Sequence, residues 1–484
     1  MNICFLCDLH LPATANALQY KVLDWSVLKL KELQPDCIVF AGDATADGNA
    51  ATYEYFLGRM QSLRLPFLYI PGNSDLRSEQ DREKLINQAS PCKTSFGSIN
   101  IFAINDCSGS ICENQLSLLK EAKENDLVFM HHPINSLKEE SKESMKLWRN
   151  NHPGAMLFYG HRHIFEQNGN DVCLQAMDPD KAIGECPCIT YYNTETKELR
   201  RIYYDCPVPF DLHAQLGVSC FDEEREIEFA IENGLVNLEL RPNVLKKDEK
   251  TIVELIHKWR KAGGKNLSIH LTEVCYDGVN AYSDERYDKL VALAQLLKAD
   301  RFTQHVPNVP LAVFEQDETA MPKICDFIAT RLNKIEHPIV VGVENMHMTA
   351  KDVSPYERRF GYKPEEVLFF MNELKQKCRH KVGVNLDVGH ARNNAPFSQK
   401  YQLSVWYAML GKYAVGYHIH QVSPIDGKYK NHTAITDVYG RLISYASFFK
   451  CWELGEIAKA PVIFEMRTEN AYEISLAAFA KHQK

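Results

Sequence analysis

The chain has 484 residues, 45% of them hydrophobic and 24% charged, with a net charge of −8. That length predicts two or three soluble globular domains, and the acidic total excludes a chain-wide basic surface for nucleic acid while leaving room for a local positive cleft. There is no run of about 18 apolar residues to cross a membrane, and the apolar start carries Asp8 without a preceding basic stretch, which argues against a signal peptide.

The cysteines number 15, and their close pairs, Cys4/Cys7 and Cys186/Cys188, lack the partner pairs of a four-cysteine zinc site. They read as buried thiols in a reducing, cytoplasmic setting. Residues 2–7 are a short apolar run, read as a buried strand, that stops at Asp8-Leu9-His10. Side-chain alternation along a strand would aim Asp8 and His10 the same way. A carboxylate beside an imidazole suits a divalent metal.

Residues 18–34 have helical spacing, broken at Pro35 and Asp36. Cys37–Ala41 reads as a second strand, ending in Gly42-Asp43, and a helix is expected over Tyr53–Leu63. Phe67–Ile70 ends in Pro71-Gly72-Asn73-Ser74-Asp75, Leu127–Met130 in His131-His132-Pro133, and Ala155–Tyr159 in Gly160-His161-Arg162-His163. Each of these apolar runs thus terminates in metal-ligand residue types. Glycine before Asp43, Asn73 and His161 lets backbone pass close to an ion or a phosphate. Residues 164–205 alternate as closing antiparallel strands with a turn at Asn168-Gly169-Asn170, and Asp205-Cys206-Pro207-Val208-Pro209 reads as a linker.

These motifs, in this order, resemble the calcineurin-like metallophosphoesterase family over residues 1–205. The resemblance implies an αββα sandwich holding two divalent ions, Mn, Fe or Zn. Asp8, His10, Asp43 and His163 would hold one ion, and Asp43, Asn73, His131 and His161 the other, with Asp43 bridging. Two cations about 3.5–4 Å apart supply a hydroxide at neutral pH and clamp phosphoryl oxygens. The family favours His131 as the ligand, which leaves His132 beside it for the leaving group. The family's histidine after the asparagine is here Ser74, which can hydrogen-bond a substrate but cannot act as an acid near neutral pH. Either the leaving group is stabilised elsewhere, by His132, or turnover is slow.

From Phe210 the pattern becomes strand and helix in turn. Strands are read at 215–219, 235–240, 267–271, 301–306, 339–344, 382–387, 415–419 and 462–466. Helices are read at 223–232, 250–261, 284–298, 322–334, 364–377, 402–410, 442–457 and 471–480. Alternation of this kind predicts a (β/α)8 TIM barrel over residues 210–484, with an open doubly wound sheet as the alternative. Barrel chemistry sits at the C-terminal strand ends. There the chain carries His270, His305, Glu344, Asp387 with His390, His418 with His420, and Glu465, with His432 in the loop after the seventh strand.

Val343-Glu344-Asn345, Asn385-Leu386-Asp387-Val388-Gly389-His390, His418-Ile419-His420-Gln421 and Phe464-Glu465-Met466 resemble motifs of the xylose isomerase-like barrels, which include sugar isomerases and endonuclease IV-type apurinic endonucleases. The resemblance implies a central metal site on Glu344, Asp387, His418 and Glu465. His270 and His305 would add a second ion with Glu344 bridging, and His390 and His432 match two ligands of a third. The third ion's aspartate is here Lys430, and Gln421 replaces another usual Asp. One to three barrel ions are therefore implied, with two the working expectation, and Lys430 is read as meeting a substrate phosphate or carboxylate.

The function expected is a bifunctional metal-dependent phosphoesterase. It would act on a phosphomonoester or phosphodiester in a nucleotide, nucleic acid or sugar phosphate, with a second hydrolytic site in the barrel. One alternative makes the barrel a sugar isomerase or epimerase, with Glu344 and Glu465 as proton-transfer bases. Another makes one domain a non-catalytic binding module.

Overall fold

The computed structural model describes residues 1–349, 351–425 and 428–483. The chain forms two compact units, one of Met1–Cys206 with Tyr439–Ser447 and one of Pro207–Val438 with Phe448–Lys484.

The first unit is a two-sheet sandwich flanked by helices. One sheet orders its strands Leu199–Tyr203, Cys188–Asn193, Asn2–Leu6, Cys37–Ala41, Phe67–Ile70. The other orders them Lys93–Phe96, Ile99–Ala103, Leu127–Met130, Met156–Tyr159, Asp171–Cys173, Glu166–Asn168. Continuous apolar runs suit parallel strands covered on both faces. Ile3, Phe5, Val39 and Ile70 of the first sheet pack on Ile101, Phe129, Phe158 and Val172 of the second, with the Phe5 and Phe158 rings stacked at 3.9 Å. The opposite face of the second sheet, Phe102, Val128 and Leu157, packs with Leu119, Met145 and Trp148. Each such large apolar side chain contributes about 1.5–3 kcal/mol on burial.

The helix Glu139–Asn151 and the strands Lys93–Phe96 and Ile99–Ala103 are absent from the sequence reading. That helix is rich in charge and buries only Ser141, Met145 and Trp148, a stripe too narrow to stand out as amphipathic. The strands at 164–205 do not close a single sheet. The hairpin turning at Gly169 joins the second sheet, where Asp171–Cys173 runs parallel to Met156–Tyr159, whereas Cys188–Asn193 pairs antiparallel with Asn2–Leu6 in the first.

The second unit is a closed barrel of parallel strands: Leu216–Cys220, Asn237–Leu240, Asn266–His270, Arg301–His305, Val340–Glu344, Lys381–Asp387, Ala414–Ile419 and Val462–Phe464. Pairing of Leu216 with Val462 shuts the ring, which removes the open-sheet alternative. The helix read at 442–457 is shorter, Ala446–Glu453: Ser444 instead bridges to Tyr439 before it, and Gly455 takes positive φ just after it. A hairpin, Gln421–Ile425 with Lys428–Thr433, rises from the seventh strand and was not predicted. None of the fifteen cysteines is in a disulfide. Among the described residues no helix is long and apolar enough to cross a membrane.

Candidate metal centres

The motif loops of the first unit converge on Asp43. Its Oδ2 lies 3.0 Å from His10 Nε2 and 3.5 Å from His131 Nε2. Asn73 Oδ1 faces His131 Nε2 at 3.2 Å and His161 Nδ1 at 2.8 Å. Asp8 Oδ1 faces His163 Nε2 at 3.6 Å, while Asp8 Oδ2 accepts the backbone N–H of His161 at 2.9 Å. All seven side chains implied as ligands therefore share one site.

Strand alternation is not what aims Asp8 and His10. The strand stops at Leu6, and both residues adopt left-handed backbone, with φ of 52° and 47°. Asp43, His161 and His163 do the same, with φ of 59°, 69° and 61°. Non-glycine residues in sparsely populated backbone regions cost about 1–3 kcal/mol each and persist only where their surroundings hold them.

Several carboxylates supply that hold. Asp75 accepts from the backbone N–H of Gly72, Ala44 and Thr45, at 2.9, 3.2 and 2.8 Å, and from Tyr69 at 3.1 Å, so it ties the Asp43 loop to the Asn73 loop. Asp106 accepts the backbone N–H of His131 and of His132, each at 2.8 Å, and holds His132 Nδ1 at 3.1 Å. Asp178 Oδ2 faces His10 Nδ1 at 3.5 Å. Asp106 and Asp178 stand outside every motif, so only their place in the fold identifies them. Ser74, expected at the substrate, is fully buried and gives its hydroxyl hydrogen to Thr45 O at 2.6 Å, while its N–H donates to Asp43 Oδ1 at 2.7 Å. The serine thus holds the loop carrying Asp43 and does not present its hydroxyl to a substrate.

Burial opposes a proton on His131, but Asp43 beside it lifts its pKa to about 10. Against the effect of burial, His131 and His10 hold Asp43 well below the carboxylate range. Burial lowers His10 to about 3 and His161 to about 4, so both present neutral imidazole.

In the barrel the centre is Glu344. Its Oε2 lies 3.4 Å from His270 Nε2 and 3.3 Å from His418 Nδ1, and its Oε1 3.7 Å from His305 Nε2. Glu465 Oε2 approaches His418 Nδ1 at 2.8 Å. One oxygen or nitrogen from each of Glu344, Asp387, His418 and Glu465 falls in a single cluster within 4.8 Å, and His270, His305 and Glu344 form another.

Glu239 and Arg241 were missed by the sequence reading. Glu239 holds His418 Nε2 at 3.1 Å and accepts from Thr303 at 2.6 Å and Ser268 at 3.2 Å. Arg241 meets Glu465 Oε1 at 2.7 Å. Burial opposes it, but Glu239, Glu344 and Glu465 keep His418 well above the usual imidazole range. His390 and His432 lie beside this centre, with ring centroids 5.5 Å apart. Lys430 is exposed on the hairpin, in register with Ser423.

Buried polar atoms are nearly always paired. Here Glu344 Oε1, Asp387 Oδ2 and Asp8 Oδ1 are buried without hydrogen-bond partners. Converging, desolvated carboxylate and imidazole atoms of this kind fit divalent cations in both units.

Residues 1–165 match the family model of the calcineurin-like phosphoesterases. The first unit is thus a metallophosphoesterase domain, joined in one chain to a closed parallel barrel. A protein of Moraxella catarrhalis (strain BBH18), described as a "probable cyclic nucleotide phosphodiesterase", is 33% identical over 79 residues, 16% of this chain and 28% of its own length. The chain therefore spans less than a third of that relative.

Endonuclease IV from Thermus thermophilus aligns with 55% of this chain and 98% of its own, at 14% identity and a TM-score of 0.37. A xylose isomerase domain protein from Planctomyces limnophilus aligns with 57% of this chain and 95% of its own, at 13% identity and a TM-score of 0.37. Neither likeness distinguishes hydrolysis from isomerisation.

Proposed function

We propose that the metallophosphoesterase domain hydrolyses a phosphomonoester or phosphodiester with two divalent ions, and that the barrel is a second metal-dependent hydrolytic centre. The observation that carries the first half is the position of Asp43, one carboxylate facing a histidine from each expected ligand set. Asp8, His10, Asp43 and His163 would hold one ion and Asp43, Asn73, His131 and His161 the other. A bound pair supplies a hydroxide and charge neutralisation at phosphorus.

The chain's own contribution is orientation. Asp178 sets His10, Asp75 and Ser74 set the Asp43 loop, and Asp106 sets His132. The His132 ring lies 4.5 Å from that of His161. In our reading it hydrogen-bonds the leaving oxygen, the task left open where Ser74 replaces histidine.

For the barrel, His270 and His418 at Oε2 of Glu344 and His305 at its Oε1 support a bridged pair of ions. That arrangement favours hydrolysis over a one-ion isomerase. The substrate class is a nucleotide, nucleic acid or sugar phosphate, and the Moraxella relative adds cyclic nucleotides as the diester to try first.

The test is turnover of bis-p-nitrophenyl phosphate and p-nitrophenyl phosphate by metal-loaded protein, with Asp43→Ala and Glu344→Ala. Loss of one activity in each variant is expected. Full turnover in both variants would remove both assignments.

A further inference from the structure

Cys186 and Cys206 meet where the antiparallel strands Cys188–Asn193 and Leu199–Tyr203 of the first unit end. The last register of that pair sets Cys188 against Tyr203, and beyond it the two segments stay together. The Tyr204 N–H donates to Pro187 O at 2.8 Å, and the Cys206 N–H donates to Cys186 Sγ at 3.3 Å. Tyr439, from the segment that groups with this unit, completes the cluster. Its hydroxyl accepts from the Cys186 thiol at 3.3 Å and donates to Cys206 O at 2.8 Å. Cys206 is fully buried and its thiol donates to Tyr204 O at 3.2 Å, whereas Cys186 keeps part of its surface in solvent.

Cys186 differs from its neighbours in ionisation. The Cys206 thiol first, then Tyr439 and the Cys206 N–H, bring it down to about 7 against the opposing effects of burial and of Asp205. Burial pushes Cys4, Cys37 and Cys188 up to about 12. The thiolate is the form that attacks an oxidant, and an accessible low-pKa cysteine beside a second one is the arrangement of redox-sensing thiols. The cluster also adjoins a candidate metal ligand. The Ile183 N–H donates to His163 O at 2.9 Å, the Gly184 N–H to Tyr439 O at 2.8 Å, and Gln175 Nε2 to the carbonyls of Ile183 and Glu185 at 3.2 Å each. His163 has left-handed backbone, which persists only where such contacts hold it.

We propose that Cys186 and Cys206 are an oxidant-responsive dithiol, closed to a disulfide by hydrogen peroxide, and that closure loosens the hold on His163. The Cys186 thiolate attacks one peroxide oxygen. An S–O bond forms, the O–O bond breaks, and the departing oxygen takes a proton and leaves as water. The Cys206 sulfur gives up its proton and attacks Cys186. The S–S bond forms, the S–O bond breaks, and a second water leaves. Two thiols have lost two electrons and the peroxide has gained them. Disulfide sulfurs stand about 2 Å apart and carry no proton, so closure ends the thiol hydrogen bonds to Tyr439 and Tyr204. It also draws Glu185 and Cys186 toward Cys206, and the pull falls on the loop that carries Ile183.

The pair is tested without reference to the phosphoesterase reading, on which only the metal-affinity readout rests. Protein loaded with magnesium, which does not favour thiolate ligands, is exposed to hydrogen peroxide and its thiols are mapped by peptide mass spectrometry. A peptide pair joined through Cys186 and Cys206 is expected. More thiolate speeds the attack and lower basicity slows it, so these thiols should be lost about fivefold faster than the exposed Cys112. Cys206→Ser should stop at a sulfenic acid on Cys186, trapped by dimedone, and Cys186→Ser should leave Cys206 reduced. Amide exchange over residues 181–186 should speed up severalfold on oxidation in wild type and in neither variant, and reductant should reverse it. Oxidised protein freed of peroxide should bind manganese in the metallophosphoesterase domain about tenfold more weakly. Absence of the linked peptide, or loss of Cys112 before Cys186, would overturn the proposal. A linked pair with unchanged exchange would overturn the coupling to His163. Faster exchange with no manganese bound in either state would support the proposal and tell against the metal centre instead.

Discussion

Asp178 Oδ2 lies 3.5 Å from Nδ1 of His10, while the same ring's Nε2 faces Asp43 at 3.0 Å. A carboxylate behind a ligand histidine fixes ring orientation and raises its basicity, and removing such partners typically costs about 10–100-fold in metal affinity. Asp178 is itself held by Gln19 Nε2 and by the N–H of Asp180, each at 2.9 Å. Asp178→Asn should therefore weaken metal binding in the metallophosphoesterase domain by about 10–100-fold while the barrel's affinity stays put. Calorimetric titration with manganese or zinc measures it, and an unaltered affinity would show that His10 needs no such support.

Ser74 stands where the family has its histidine, and His132 is read as taking over that task, so their variants should behave differently. Ser74→Ala removes a hydrogen bond to Thr45 O worth about 1 kcal/mol, so a small fall in melting temperature with unchanged KM is expected. A raised KM would return Ser74 to the substrate. Ser74→His cannot simply restore the family arrangement, because the position is fully buried and overpacking costs about 1–3 kcal/mol. His132→Gln should lower kcat by about 10²–10⁴-fold on an alkyl phosphoester and much less on a p-nitrophenyl ester, whose leaving group needs little help. Equal losses on both substrates would assign His132 a purely structural part.

Metal loading should depend on pH in a definite direction. In the metal-free protein His131 is lifted to about 10 and His418 well above the usual range, so both carry protons at neutral pH. A metal ion needs the neutral ring, so each binding event expels a proton and competes with acid. Apparent affinity should rise by about tenfold per pH unit per proton released between about pH 6 and pH 8, and fall as the solution is acidified. Chelator-competition titrations, repeated in buffers of different ionisation enthalpy, count the protons. A flat profile would mean that these histidines are not displaced by metal.

The side chains that converge at the two centres were legible because parallel strands collect their C-terminal ends on one edge, so each apolar run advertised its own loop. The barrel strands were legible for the same reason, since doubly covered strands are apolar throughout. The supporting shell was not. Asp106 and Asp178 lie in loops with no periodicity, and Glu239 sits mid-strand in Asn237–Leu240, where an isolated acid looks like a surface residue. His420 was visible at a strand end but given no role, because the resemblance assigned it none. The backbone reversals at Asp8 and His10 also left no trace, since favourable strand alternation predicted the same shared direction by a different route.

Gly72 provides the sharpest steric test of the Asp43 bridge. A Cβ at Gly72 would stand 2.2 Å from Asp43 Oδ1 and 2.4 Å from Asp43 N. Both atoms are fixed, the oxygen by the Ser74 N–H at 2.7 Å and the nitrogen by the chain itself, so neither can yield as a flexible side-chain tip would. Gly72→Ala should displace Asp43, cost about 1–3 kcal/mol of stability, and abolish metal uptake by the metallophosphoesterase domain while the barrel's ions remain. Gly58→Ala is the matched control. Gly58 lies within the helix Ala50–Gln61 and a Cβ there meets nothing within 4 Å, so alanine should stabilise the protein by about 0.8–1 kcal/mol and leave every ion in place. Metal counts and thermal melts on the two variants separate displacement of the bridging carboxylate from a general penalty for adding a methyl group. Retained metal in Gly72→Ala would mean that Asp43 is not the bridge.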